Sequence, residues 1–139
     1  MNREIKFRAW DKTTKKIYEV DSLNFRNEDL WLKLDDNKII GANFFEVELM
    51  QYTGLKDIIG KEIYEGDIIP FHFDSNEKGV VKFGEYTDWN CKNETKHIGF
   101  YVDFYGTYKN INRKDLGYWI EVSYVVGNIY ENPELLGDE

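Results

Sequence analysis

Apolar and polar residues alternate along most of the chain, the mark of strands half buried in a sheet. Ile5-Lys6-Phe7-Arg8-Ala9-Trp10 sets apolar or small residues against charged ones. Asp11-Lys12-Thr13-Thr14-Lys15 is polar and turn-like, and Lys16-Ile17-Tyr18-Glu19-Val20 resumes the alternation, so residues 5–20 predict a β-hairpin. Ser22 to Phe25 predicts a short strand, and Leu30, Leu32 and Leu34 share one face of the next. Asp35-Asp36-Asn37-Lys38 is a turn signal. The clearest alternation covers 45–52, with Phe45, Val47 and Leu49 on one face and Glu46 and Glu48 on the other. Thr53-Gly54 interrupts it, and Asp57 to Lys61 reads as a loop.

In the second half, Gly66-Asp67 between apolar pairs predicts a tight turn that feeds a strand. Glycine supplies a positive φ there, and the aspartate side chain can accept from nearby backbone N–H groups. Strands are expected over 67–73, 79–84, 97–105 and 118–130, with Asn76-Glu77-Lys78-Gly79 as a hairpin turn. Residues 85–97 are polar and read as loop, and Lys109 to Lys114 is a second polar break. Asn132-Pro133-Glu134-Leu135-Leu136-Gly137 has a cap residue, proline in the first turn and a glycine stop, which predicts one short C-terminal helix. The weakest join lies near Gln51 to Lys61. It separates an N-terminal β-hairpin and sheet subdomain (1–52) from a second β subdomain (53–139), unless the two form one continuous domain.

Composition agrees with a mainly β chain. Its 139 residues include 13 Ile, 8 Val and 23 aromatics but only 2 Ala, and β-branched and aromatic side chains suit a pleated, half-buried surface. A hydrophobic content of 42% is enough for a packed core and argues against disorder. The lone Cys91 cannot form an internal disulfide. No apolar run reaches the length of a signal peptide or a membrane span, so the cytoplasm is the expected location.

Charge narrows the range of partners. The chain carries a net −8, which opposes non-specific binding to nucleic acid. Residues 1–16 are the exception. Arg3, Lys6, Arg8, Lys12, Lys15 and Lys16 outnumber Glu4 and Asp11 there, giving a candidate nucleic-acid-binding patch. A solvated hairpin edge, where lysines discourage strand-to-strand aggregation, explains the same charges and is the preferred reading.

Candidate chemistry is sparse. The chain has no G-x-G-x-x-G, phosphate-binding G-x-x-x-x-G-K, G-x-S-x-G or H-E-x-x-H signature. Cys91 precedes His97 within a polar stretch, but spacing along the chain does not make a nucleophile and base pair. His72 and Asp74 share a strand face, and His97 and Asp103 could join them, yet two histidines and one cysteine fall short of a zinc set. Neither metal nor cofactor is expected. Glu46 and Glu48 read as a solvated face, and Asp67 as a turn residue. The strongest surface candidate is Phe100-Tyr101-Val102-Asp103-Phe104-Tyr105. Phe100, Val102 and Phe104 suit a core, while Tyr101, Asp103 and Tyr105 form a tyrosine stripe of the kind favoured at protein interfaces. An enzyme assembled from scattered carboxylates with His72 or His97 is the remaining alternative.

Four segments resemble a known family. Ile5-Lys6-Phe7-Arg8-Ala9-Trp10-Asp11, Leu49-Met50-Gln51-Tyr52-Thr53-Gly54-Leu55-Lys56-Asp57, Gly60-Lys61-Glu62-Ile63-Tyr64-Glu65-Gly66-Asp67-Ile68-Ile69 and Val126-Gly127-Asn128-Ile129-Tyr130-Glu131-Asn132-Pro133-Glu134-Leu135-Leu136 are similar to the hallmarks of the YopX family of phage and prophage proteins. They run from one end of the chain to the other, while 70–124 carries no recognised motif. The resemblance implies a small phage- or prophage-encoded β protein with an SH3-like barrel in its C-terminal part, and self-association as a trimer. It supplies no catalytic residues. The function expected from the whole is an accessory protein without enzymatic activity that binds another host or phage protein.

Overall fold

The computed structural model describes residues 4–71, 76–90, 93–104 and 113–137. The chain divides into two compact units, Met1–Tyr52 and Thr53–Glu139. The strands among the described residues, numbered β1 to β10 in chain order with their ranges given below, form two antiparallel sheets with orders β4-β3-β2-β1-β5-β6 and β10-β7-β8-β9.

In the first unit, β1 (Phe7–Asp11) and β2 (Lys16–Asn24) make the expected hairpin. Asp11 builds its turn. One side-chain oxygen accepts from Thr13 N (2.8 Å) and Thr14 N (3.3 Å), while its carbonyl accepts from Lys15 N. This local bonding lets Lys15 adopt a φ of 61°, a conformation that a non-glycine residue otherwise avoids. β2 absorbs Ser22 to Asn24 into one long strand with an irregularity between Val20 and Ser22. β3 (Asp29–Lys33) buries Leu30 and Leu32. With Ala9 and Val47 they form the first core, on which Tyr18, Val20, Leu23, Ala42, Phe44 and Leu49 pack.

β4 (Ile39–Asn43) follows the 35–38 turn, a strand that its short IIGAN pattern did not announce. Phe45 and Glu46 also depart from expectation. They lie in a 3-10 helix, Phe44–Glu46, rather than in a strand. Asn43 and Glu46 cap that turn reciprocally, with Phe45 N donating to Asn43 Oδ1 and Asn43 N to Glu46 Oε1. Phe45 is consequently exposed, and the strand β5 (Val47–Lys56) begins one turn later than its alternation suggested.

The second unit contains the end of β5, then β6 (Glu62–Tyr64), β7 (Asp67–Pro70), β8 (Lys78–Asn90), β9 (Asn93–Phe104), α1 (Leu116–Trp119) and β10 (Gly127–Asn128). The Gly66-Asp67 turn has the expected construction. Gly66 has a φ of 88°, and the buried Asp67 accepts from Tyr64 N through Oδ2 at 2.8 Å. Ile63, Ile69, Val81, Val102, Phe104, Leu116, Trp119 and Val125 make the core. Trp119 lies at its centre, with its ring 4.9 Å from Phe104 and 5.1 Å from Phe71, and its indole N–H donating to Arg113 O.

Three expectations need correction here. Residues 85–90 and 93–97 belong to strands, not to a loop. Polarity marks an exposed strand as well as a loop, and Tyr86 and Thr87 are good strand formers. Residues 118–130 are not one strand: within them only Gly127–Asn128 is a strand, as β10. Asp115 caps α1 by accepting from Tyr118 N, and Val122 and Val125 then reach the core without a long ladder. With only two residues of that segment in the four-stranded sheet, the sheet runs from β10 to β9 without closing, and among the described residues there is no closed barrel.

The C-terminal helix is a single 3-10 turn, Pro133–Leu136. Asn132 does not cap it, because its side chain accepts from Asn128 N at 3.1 Å. Gly127 is held against this turn. A Cβ there would lie 2.6 Å from Asn132 Oδ1 and 2.8 Å from Leu135 Cδ1. Gly127→Ala is therefore expected to cost about 1–3 kcal/mol, measured by urea unfolding; a loss below about 0.5 kcal/mol would show that the turn yields freely. Among the described residues, no buried side-chain nitrogen or oxygen lacks a partner.

Candidate functional site

β8 and β9 pair continuously from Gly79↔Phe104 to Asn90↔Asn93. On the other edge of β8, β7 pairs only with Lys78 to Val80, and Gly66 N donates to Val81 O. Lys114 and Asp115 flank β9 at Val102 and Tyr101, so among the described residues the hairpin continues as a two-stranded arm from Phe83 and Phe100 outward. Its two faces follow from strand alternation.

One face continues the core outward. Val81, Val102 and Phe104 are buried, and Phe100 packs at the margin. Next come Phe83, 53% exposed, and Ile98, 78% exposed. Phe83 meets Phe100 edge to face at 5.0 Å.

The opposite face carries Lys82, Tyr86, His97, Tyr101 and Asp103. Tyr86 sits directly across from His97 and stacks on it at 5.3 Å, and it also stacks on Tyr101 at 5.2 Å. Between these rings the register pairs Gly84 with Gly99, where a Cβ would meet nothing closer than 4.0 Å. This gap leaves Tyr86 room to lie along the strand pair. Lys82 Nζ contacts Asp103 Oδ2 at 2.7 Å, with both side chains part-exposed. Such a pair contributes about 0–1 kcal/mol but fixes where both groups point.

Tyr101 and Asp103 therefore share the face opposite Val102 and Phe104. Tyr105 lies outside the described residues, as do Cys91, His72 and Asp74. Sequence reasoning missed Tyr86 as a member of the cluster, because 85–97 read as loop. A period-two reading of Lys82, Gly84 and Tyr86 was the signal that could have found it.

The N-terminal cations are placed differently. Arg3 lies outside the described residues. Lys6 contacts Glu4 at 3.3 Å and lies 5.0 Å from the Tyr52 ring centre. Arg8 is opposite Glu19 and donates to Met50 Sδ. Lys12 binds Glu48 at 3.2 Å, and Lys16 is opposite Asp11. Lys15 is the exposed turn residue. Four of the five described cations thus stand beside an acid, which lowers the net field available to a phosphate backbone. Among the described residues, no group of three or more His, Cys, Asp or Glu is placed to hold a metal ion. No described helix is long and apolar enough to cross a membrane.

A family model described as "YopX protein" matches residues 6–137. The crystal structure of protein EF1440 from Enterococcus faecalis is similar in fold, with a TM-score of 0.58 and 27% sequence identity over 97% of this chain and 99% of that one. No curated protein matches the sequence.

Proposed function

Because the chain belongs to the YopX family, we propose that it is a phage- or prophage-encoded accessory protein that binds another protein through the β8–β9 arm and performs no catalysis of its own. The observation that carries this reading is the arm itself. A two-stranded hairpin outside a core gains little from its own pairing, and exposed apolar side chains on it gain more by being covered. Phe83 and Ile98 offer such a surface, and Tyr86 and Tyr101 add rings that bury area at low entropic cost on the other face. The net charge of −8 favours encounter with a basic partner, such as the nucleic-acid-binding face of a host or phage protein. In this reading the second unit is an SH3-like module, supported by the tight Gly66 turn and the β7-β8-β9 meander.

The test is affinity capture from bacterial lysate, with and without nuclease, using the wild-type chain and Phe83→Ser/Ile98→Ser. Both positions are exposed, so circular dichroism should show the variant folded. A partner held by the wild type, released at high salt and lost with the double variant is the expected result. Equal capture by both chains, capture that vanishes with nuclease, or no specific partner would each overturn the proposal.

A further inference from the structure

Among the described residues, β4 is an edge strand of the six-stranded sheet, with β3 on one side only. Edge strands usually carry a charge, a proline or a bulge that discourages pairing with another chain. The sequence of β4, Ile-Ile-Gly-Ala-Asn, has none of these, and four of its five residues are exposed.

Its hydrogen-bonding direction can be read from the ladder. Leu34 N donates to Lys38 O and Phe44 N to Glu28 O, which frame the β3–β4 pairing. By antiparallel alternation, Ile40 and Ala42 bond inward to β3, while Ile39, Gly41 and Asn43 present their N–H and C=O groups outward. The Asn43 N–H is already taken by Glu46 Oε1. The open donors of the edge are therefore those of Ile39 and Gly41.

We propose that this edge pairs with the same edge of a second copy of the chain, antiparallel, about a two-fold axis at Ile40. That register sets Ile39 of each copy against Gly41 of the other. It uses both open donors of both chains in about four backbone hydrogen bonds and asks nothing of Asn43. The side chains match as well. Trp31 lies on Gly41, with ring atoms 3.4 and 3.5 Å from where a Cβ would be. Trp31 and Ile39 are 50% and 42% exposed and share the outer face of the sheet. Pairing puts each Ile39 at the glycine notch of the other copy, against the edge of its tryptophan. On the inner face the two Ile40 side chains meet across the axis and extend the Leu30 and Leu32 core.

Charge agrees with this register. Residues 39–43 carry none, so no like charges face one another within the contact. The contact is one short strand wide, which implies weak association that concentration controls.

Sedimentation velocity of the full chain at about 1 µM and about 300 µM tests this. A shift from monomer to dimer is expected. Ile39→Lys should raise the dissociation constant at least about tenfold while leaving the melting temperature of the exposed site's unit unchanged. In a Cys91→Ser background, Ile40→Cys should form an intermolecular disulfide on mild oxidation, because the close pair across the axis is within disulfide reach. Ile39→Cys, whose copies are not opposite one another, should cross-link far more slowly. A monomer at the highest concentration would overturn the proposal. So would an oligomer, a trimer included, that ignores Ile39→Lys and links Ile39→Cys as fast as Ile40→Cys. These variants lie in the first unit and those of the hairpin arm in the second, so failure of one proposal leaves the other standing.

Discussion

Replacing Trp119 by alanine is expected to cost about 3–5 kcal/mol, the range for truncating a buried aromatic. The side chain is 2% exposed and touches Phe71, Phe104 and Tyr118 with ring centres 4.9 to 5.1 Å away. Its removal leaves a cavity between β9 and α1 and deprives the Arg113 carbonyl of its donor. Domains of this size are stable by only about 5–15 kcal/mol, so the loss is a large share of the whole. Urea unfolding followed by far-ultraviolet circular dichroism measures it. Trp119→Phe keeps most of the apolar volume and loses the indole N–H, and should cost about 1–2 kcal/mol. A penalty below about 1 kcal/mol for the alanine variant would mean that the second core is not organised around this ring.

The second large effect is expected at Asp57. This residue is 5% exposed although it lies in a loop. Oδ1 accepts from Ile59 N (3.0 Å) and Lys61 N (2.9 Å), and Oδ2 accepts from Val125 N (2.9 Å). It shapes its own turn and ties that turn to the segment after α1. Asp57→Ala leaves those three backbone donors without their acceptor, at an expected cost of about 2–4 kcal/mol. Asp57→Asn separates the two tasks. Its oxygen can still serve Ile59 and Lys61, but its NH2 group would face Val125 N, donor against donor. About half the loss is expected, together with faster hydrogen exchange at the Val125 amide and little change at Ile59. Equal stability of wild type and Asp57→Ala would show that water replaces the side chain.

The sequence announced elements wherever local chemistry decided them. The β1–β2 hairpin, the leucine face of β3 and the Gly66-Asp67 turn were readable because alternation and turn residues act over a few positions. It misled where a distant or reciprocal interaction overrode the pattern. Phe45 fits the alternation of β5, yet the Asn43 and Glu46 cap bends the chain into a 3-10 turn before the strand starts. Ile120, Val122 and Val125 read as strand by residue type, but the cap at Asp115 and the demand of the core direct them otherwise. Polarity in 85–97 signals exposure, and loop and projecting hairpin share that property. Tyr101 and Asp103 were visible as a stripe, whereas Tyr86 and Lys82 joined them only through the register of a ladder that spacing alone does not specify. The role of Asp57 was hidden for a similar reason, since its third partner is 68 residues away.

That separation bears on the order in which the second unit assembles. The β8–β9 ladder begins with residues close in the chain, Asn90 and Asn93, and can zip from that end on the microsecond scale of an isolated hairpin. The Asp57–Val125 bond must close a long loop, which costs entropy before it returns any enthalpy, so it belongs late on the path. Weakening that tie should then accelerate unfolding and leave the folding rate nearly unchanged. The arm, for its part, needs only local contacts and can pair before that bond closes. In the proposed reading a nascent chain then displays Phe83 and Ile98 before its core is finished, and the partner proposed to cover them can meet the protein while it is still being made.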